Sequence, residues 1–172
     1  MTATATGRHV RRDGLDTIVF ERRFAAPIHD VWAAITEPDR LVRWIGTWSG
    51  DPASGTVQFR MTAEAEDASE TTYEIRTCEP PRKLAVHSAN DYGVWDVTLE
   101  LDESPEGGTT LTFSQVVHDP TTIENVGPGW DYYLDRLVAA ETGADVGSID
   151  FEADYYPALR PYYLEVTQGM TR

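Results

Sequence analysis

The chain has 172 residues, 41% of them hydrophobic, and its 29 acidic and 14 basic residues give a formal net charge of −15. Its size and composition are those of one soluble globular domain with a substantial core. The acidic balance excludes nucleic acid and anionic membranes as expected partners, since both repel negative charge.

The cysteine content and the hydropathy pattern predict a cytoplasmic protein. Cys78 is the single cysteine, which excludes an internal disulfide, and the Cys and His spacing of a zinc site is absent. The first fifteen residues contain arginines but no apolar run of a secretory signal, and no segment has the roughly 20 apolar residues that cross a bilayer. We expect no metal and no other cofactor. Residues 1–16 are predicted to be disordered and residues 17–172 to form one domain.

The first elements are a strand and two short helices. Residues 17–24 alternate apolar and polar side chains, which predicts a strand. Pro27 suits the first position of a helix. The helix then presents one apolar stripe, formed by Ile28, Val31, Trp32 and Ile35. Pro38 begins a second short helix, and Gly46 ends it.

Five further strands are predicted after Gly55, where the apolar period changes to two. The segment 79–82 contains two prolines, which exclude a continuous strand there. Short connections favour an antiparallel meander over a parallel sheet. The predicted strands cover residues 57–63, 71–78, 84–88, 95–101 and 111–117.

A long helix is predicted from Gly129 to about Thr142, with an apolar stripe that includes Trp130, Leu134 and Leu137. Segment 127–129 is interpreted as its start, and Gly143 as its end. The tyrosine-rich tail, residues 144–172, belongs to the same domain in this interpretation. It has three possible placements: over one end of a cavity, across the outside of the long helix, or in a homodimer contact.

The order of these elements, with several short motifs, resembles the START-like (SRPBCC) superfamily. The likeness is greatest to the branch related to the C-terminal domain of the activator of the heat-shock-ninety ATPase. The residues that carry it are Ala26-Pro27 with Val31-Trp32, Thr36-Glu37-Pro38 through Leu41 to Trp44, Glu79-Pro80-Pro81-Arg82 with Leu84, Gly108-Thr109 with Leu111 and Phe113, and Gly129-Trp130 with Leu134 and Leu137.

This resemblance implies an α+β helix-grip fold. A curved antiparallel six-stranded sheet would wrap around the long C-terminal helix, with two short helices between strands 1 and 2 and a ligand cavity between sheet and long helix. It does not imply a reaction, because the superfamily includes lipid and hormone carriers, polyketide cyclases and chaperone regulators.

The leading hypothesis is a protein that binds an apolar or aromatic small molecule without covalent chemistry. Trp44 and Trp48 would lie near the cavity mouth, either as a lid or, for Trp44 above all, as a packing anchor. Buried tryptophan and tyrosine can also offer a polar atom to a ligand. The candidate ligand-binding residues are Trp44, Trp48, Phe59, Met61, Trp95, Val97, Phe113, Gln115, Trp130, Tyr133, Leu134 and Leu137.

Two alternatives stay open. An enzyme of the cyclase or aromatase kind would act in the same cavity, with Gln115, His118 or Tyr133 as the groups that move protons. His118 and Asp119 are a candidate acid/base pair, although neighbours on a strand point to opposite faces. The second alternative is a regulator that binds a chaperone or another protein through its surface. The motifs of nucleophilic catalysis and phosphate binding are absent from the sequence.

Overall fold

The structure is a computed structural model, and it describes residues 3–91 and 93–170. Eight strands and five α-helices follow one another along these residues. They are β1 (Arg8–Arg12), β2 (Leu15–Phe24), α1 (Ile28–Thr36), α2 (Pro38–Leu41), β3 (Thr47–Ser49), β4 (Thr56–Arg60), β5 (Thr71–Glu79), β6 (Lys83–Asn90), β7 (Gly93–Glu103), β8 (Thr109–Val116), α3 (Ile123–Thr142), α4 (Phe151–Asp154) and α5 (Arg160–Val166).

All eight strands form one antiparallel sheet in the order β1-β2-β8-β7-β6-β5-β4-β3. The inner face of this sheet packs on α3, with Ile18, Phe20 and Phe113 among its buried residues. Leu134 and Leu137 of α3 are fully buried against it. This is the predicted helix-grip architecture with two more strands than the six expected.

The two additional strands, β1 and β3, lie at the edges of the sheet. Residues 1–16 were expected to be disordered, and this is wrong for β1, which pairs with β2 from Arg8↔Val19 to Arg12↔Leu15. The turn between them is Asp13-Gly14, with φ of 52° and 80°, the positive values that a two-residue hairpin requires. An edge strand needs no apolar alternation, so Arg8–Arg12 lacked the usual strand signal. Met1 and Thr2 lie outside the described residues.

Some element ends also differ from the prediction. Helix α2 ends at Leu41 rather than at Gly46, and a hydrogen-bonded turn continues to Gly46. A β-carbon on Gly46 would lie 2.0 Å from the carbonyl oxygen of Arg60, so this position requires glycine for the close approach. Strand β4 ends at Arg60, which leaves Met61 beyond the strand.

Helix α3 begins at Ile123, before the predicted start at segment 127–129. Pro128 therefore lies inside the helix, where it removes the backbone donor that would bond the carbonyl of Glu124. The preceding turn is capped by Asp119, whose side chain accepts from the Thr121 amide. The predicted end at Thr142 is correct, and Gly143 closes the helix at φ 77°.

The tail packs against α3 and the N-terminal segment. Tyr163 of α5 is fully buried, and its hydroxyl donates to the Asp131 carboxylate on α3. Its ring lies over Gly127, where a β-carbon would come within 2.4 Å of the ring. Of the placements considered, the tail takes the one against the long helix. Its last two residues, Thr171 and Arg172, lie outside the described part.

Candidate functional site

A pocket of about 220 Å³ lies between the inner face of strands β4–β8 and helices α1 and α2, with Trp130 contributed by α3. Its wall carries no charged side chain. The lining residues are Ile35, Thr36, Leu41, Trp44, Ile45, Trp48, Pro52, Val57, Phe59, Met61, Tyr73, Ile75, Cys78, Leu84, Val86, Val97, Leu99, Phe113 and Trp130.

The structure brings only part of the predicted set to this wall. Seven predicted residues line the pocket, namely Trp44, Trp48, Phe59, Met61, Val97, Phe113 and Trp130. Leu134 and Leu137 belong to the buried core instead. Trp95, Gln115 and Tyr133 lie off the wall as well. The part of each residue in binding a ligand stays a prediction.

The three predicted residues Gln115, Tyr133 and Trp95 do not line the pocket but make other contacts near it. Gln115 accepts a hydrogen bond from the indole nitrogen of Trp130 at 2.6 Å. Tyr133 donates to Glu64 at 2.8 Å, and burial, with the nearby carboxylate, raises the pKa of Tyr133. Trp95 packs edge-on against Trp130 with ring centroids 6.5 Å apart. The contacts of Gln115 and Trp95 orient the Trp130 ring in the pocket wall.

The two tryptophans expected at the cavity mouth are attached to α1. The indole nitrogen of Trp44 donates to the carbonyl of Ala34 at 3.0 Å, and that of Trp48 donates to the carbonyl of Thr36 at 2.8 Å. Both rings thus line the pocket and also hold their segments against α1. Their polar atoms are already satisfied, so neither indole nitrogen is available to a ligand.

Sequence reasoning missed the contribution of β5 and β6. Tyr73 and Ile75 alternate with exposed neighbours, and the register between β5 and β6 shifts between Ile75 and Thr77. This irregularity brings Cys78, rather than Thr77, to the pocket wall. The period-two pattern would have found Tyr73 and Ile75, whereas the bulge left no signal for Cys78.

Tyr73 differs from the threonine and the tryptophans of the pocket wall. No hydrogen-bond partner for its hydroxyl is found in the described part of the chain. Its ring packs edge-on against Phe59, with centroids 5.7 Å apart. Burial raises the pKa of Tyr73, so its hydroxyl stays protonated and can donate.

A second cluster of polar groups lies on the opposite face of the sheet. His87 Nδ1 is 2.5 Å from one carboxylate oxygen of Asp96, and His118 Nε2 is 2.6 Å from the other. Asp119 does not pair with His118, because its carboxylate accepts instead from the amide and hydroxyl of Thr121. His87 is adjacent to the pocket residue Val86 in β6, and adjacent residues of a strand face opposite sides of the sheet. This cluster therefore cannot reach the pocket.

The histidine contacts predict a pH-dependent contribution to stability. Burial alone would raise the pKa of Asp96. The hydrogen bonds from His87 and His118 lower this pKa, and together they outweigh burial, so the pKa of Asp96 lies below its usual value. A lowered pKa stabilises the folded state above the unfolded value of about 3.9, and this contribution disappears as the pH falls through the folded pKa.

We expect Asp96→Asn to lower the free energy of unfolding by about 1 kcal/mol at pH 7. The difference from the wild type should shrink between pH 5 and pH 3 in urea denaturation. Asp102→Asn, on the same face of β7, is the control and should show a smaller effect. A difference for Asp96→Asn that stays constant down to pH 3 would contradict the assignment.

Within residues 3–91 and 93–170, no group of three or more His, Cys, Asp or Glu side chains could hold a metal ion. Among the described helices, none combines the length and the apolar character needed to cross a membrane.

The curved sheet, the two short helices after β2 and the long helix α3 together define the helix-grip fold of the START-like (SRPBCC) superfamily. Within this class, the model of the family described as Activator of Hsp90 ATPase homolog 1-like protein matches residues 25–141, and the chain belongs to that family. Among functionally curated proteins, none matches the chain.

Several solved structures share the fold. CalU16 from Micromonospora echinospora is 24% identical with a TM-score of 0.67, over 95% of this chain and 92% of that one. EF2215 from Enterococcus faecalis, a conserved protein of unknown function, is 22% identical with a TM-score of 0.71, over 96% and 92%. DynU16, from the dynemicin biosynthetic locus, is 21% identical with a TM-score of 0.57, over 76% of this chain and 49% of that chain.

Proposed function

We propose that this protein binds a small apolar or aromatic molecule in the pocket between the sheet and helices α1, α2 and α3. The observation that carries the proposal is the wall itself, which combines aromatic and aliphatic side chains without a charge. Burying apolar surface in such a site is the main source of small-molecule affinity. DynU16, which shares the fold, belongs to a biosynthetic locus, and this agrees with a small-molecule role.

The enzyme alternative loses the residues on which it depended. Gln115 accepts from Trp130, Tyr133 donates to Glu64, and His118 contacts Asp96 on the far face of the sheet. None of the three lines the pocket. Noncovalent binding is therefore the function that this geometry supports best.

Cys78 provides a built-in reporter of pocket occupancy. It is the one cysteine of the sequence, it is exposed, and it lines the pocket. We expect 2-isopropenylnaphthalene, a neutral apolar probe, to slow the reaction of Cys78 with a thiol reagent and to raise the Tm. A ligand that binds only the folded state stabilises it in proportion to its occupancy.

Two tryptophan substitutions on β5 separate pocket binding from general surface binding. Ile75→Trp fills the pocket and should abolish both the protection of Cys78 and the Tm shift. Glu74→Trp places the same ring on the exposed outer face of that strand and should leave both signals intact. Protection that survives Ile75→Trp, or its absence in the wild type, would overturn the proposal. Native mass spectrometry of the purified protein would show a retained small molecule and would distinguish a monomer from the homodimer considered for the tail.

A further inference from the structure

We propose that the hydroxyl of Tyr73 is the polar recognition point of the pocket. The ligand is accordingly a neutral aromatic molecule of one or two rings that carries a carbonyl or ether oxygen as hydrogen-bond acceptor. This inference rests on the function proposed above, and it adds the chemical class of ligand and a residue that determines specificity.

The hydrogen-bond donors of the pocket wall identify Tyr73. The indole nitrogens of Trp44, Trp48 and Trp130 donate to Ala34, Thr36 and Gln115, respectively. The hydroxyl of Thr36 donates to the carbonyl of Trp32 at 2.7 Å. Tyr73 is left as the hydroxyl on this wall that has no hydrogen-bond partner among the described residues. Tyr73 is partly buried among apolar side chains, so its hydroxyl gains a hydrogen bond from a ligand that brings an acceptor into the pocket.

The position of this hydroxyl is fixed by the fold. Tyr73 pairs with Val57 across β4 and β5, and its ring is held edge-on by Phe59. Both neighbours line the pocket themselves. A donor that is held in place before binding loses little rotational freedom on binding, so it can discriminate between ligands as well as attract them.

The size and charge of the site limit the ligand. About 220 Å³ is below the range of roughly 300–1,000 Å³ that is usual for drug-sized ligands, which favours one or two rings. An anionic ligand would meet no cation on the wall and a protein of net charge −15. A protonated tyrosine hydroxyl recognises a neutral oxygen acceptor without requiring either partner to be charged.

The test compares two probes of nearly the same shape. 2-Acetylnaphthalene carries a ketone oxygen where 2-isopropenylnaphthalene carries a methylene group. Their dissociation constants would be measured from the protection of Cys78 in the wild type, in Tyr73→Phe and in Thr36→Val. Because the ratio of the two constants is compared between variants, the different water solubilities of the probes cancel.

We expect Tyr73→Phe to weaken binding of the ketone about fivefold relative to the alkene, as for one neutral hydrogen bond. Thr36→Val also removes a hydroxyl from the pocket, but one already bonded to Trp32, and should leave the ratio unchanged. If both probes bind and Tyr73→Phe leaves the ratio unchanged, or Thr36→Val changes it equally, Tyr73 is not the recognition point. If neither probe binds the wild type, the proposed function fails and this inference with it.

Discussion

Replacing Asp131 with alanine is expected to lower the free energy of unfolding by about 3–5 kcal/mol, the cost of breaking a buried ion pair by removing one partner. Asp131 is completely buried on α3, and one of its carboxylate oxygens lies 3.0 Å from the Arg22 guanidinium. Only 9% of the Arg22 side chain is exposed. The substitution would leave this guanidinium with the Asp135 carboxylate, which it also contacts at 3.0 Å.

The carboxylate of Asp131 joins segments that are far apart in the sequence. It accepts hydrogen bonds from the amide and hydroxyl of Thr6 and from the hydroxyl of Tyr163. Burial and the adjacent carboxylate raise the pKa of Tyr163, so its hydroxyl remains a donor. Tyr155 adds a further link, because its hydroxyl donates to Asp135 at 2.7 Å. Removing Asp131 would therefore loosen the N-terminal segment and the tail together.

Chemical denaturation of three variants would measure this effect. Asp131→Asn keeps one carbonyl acceptor but loses the charge. Its free energy of unfolding should therefore lie between that of the wild type and that of Asp131→Ala. Glu152→Ala, at an exposed position of α4, is the matched control and should stay within about 0.5 kcal/mol of the wild type. A loss below about 1 kcal/mol for Asp131→Ala would show that the network does not hold the tail in place.

Local patterns predicted the elements that pack directly on the core. The apolar stripe of α1 and the alternation in β2 and β5–β8 indicated which side chains face inward, and Val97 and Phe113 reach the pocket as this alternation implies. Edge strand β1 escaped prediction because residues 8–12 are mostly charged or polar and bury little. Its signal was the Asp13-Gly14 turn.

Contacts between residues far apart in the sequence determine the features that local patterns did not predict. The packing of α3 against the tail depends on how Gly127 meets Tyr163, a residue 36 positions later in the sequence. No local periodicity contains such a pairing. The same holds for the site: Trp44 and Trp48 reach the pocket, but their bonds to the carbonyls of Ala34 and Thr36 depend on tertiary packing. Sequence patterns therefore indicate the wall of the pocket better than its free polar atoms.

Two glycines in α3 are expected to respond to the same substitution in opposite directions. A β-carbon at Gly127 would lie 2.4–2.6 Å from ring atoms of Tyr163, which is fully buried and cannot move away freely. At Gly129, two residues along the same helix, a β-carbon would meet nothing within 4 Å. The intrinsic gain on replacing glycine by alanine, about 1 kcal/mol in a helix interior, applies to both positions.

Gly129→Ala should therefore stabilise the protein by up to about 1 kcal/mol. Gly127→Ala should destabilise it by about 1–3 kcal/mol, because overpacking against Tyr163 outweighs the helical gain. Urea denaturation of the two variants gives the comparison directly. In a Tyr163→Leu background, Gly127→Ala should cost less than it does in the wild type, since the smaller side chain leaves room for the new methyl group. Equal effects of alanine at Gly127 and Gly129 would mean that the tail does not pack on α3 at this point.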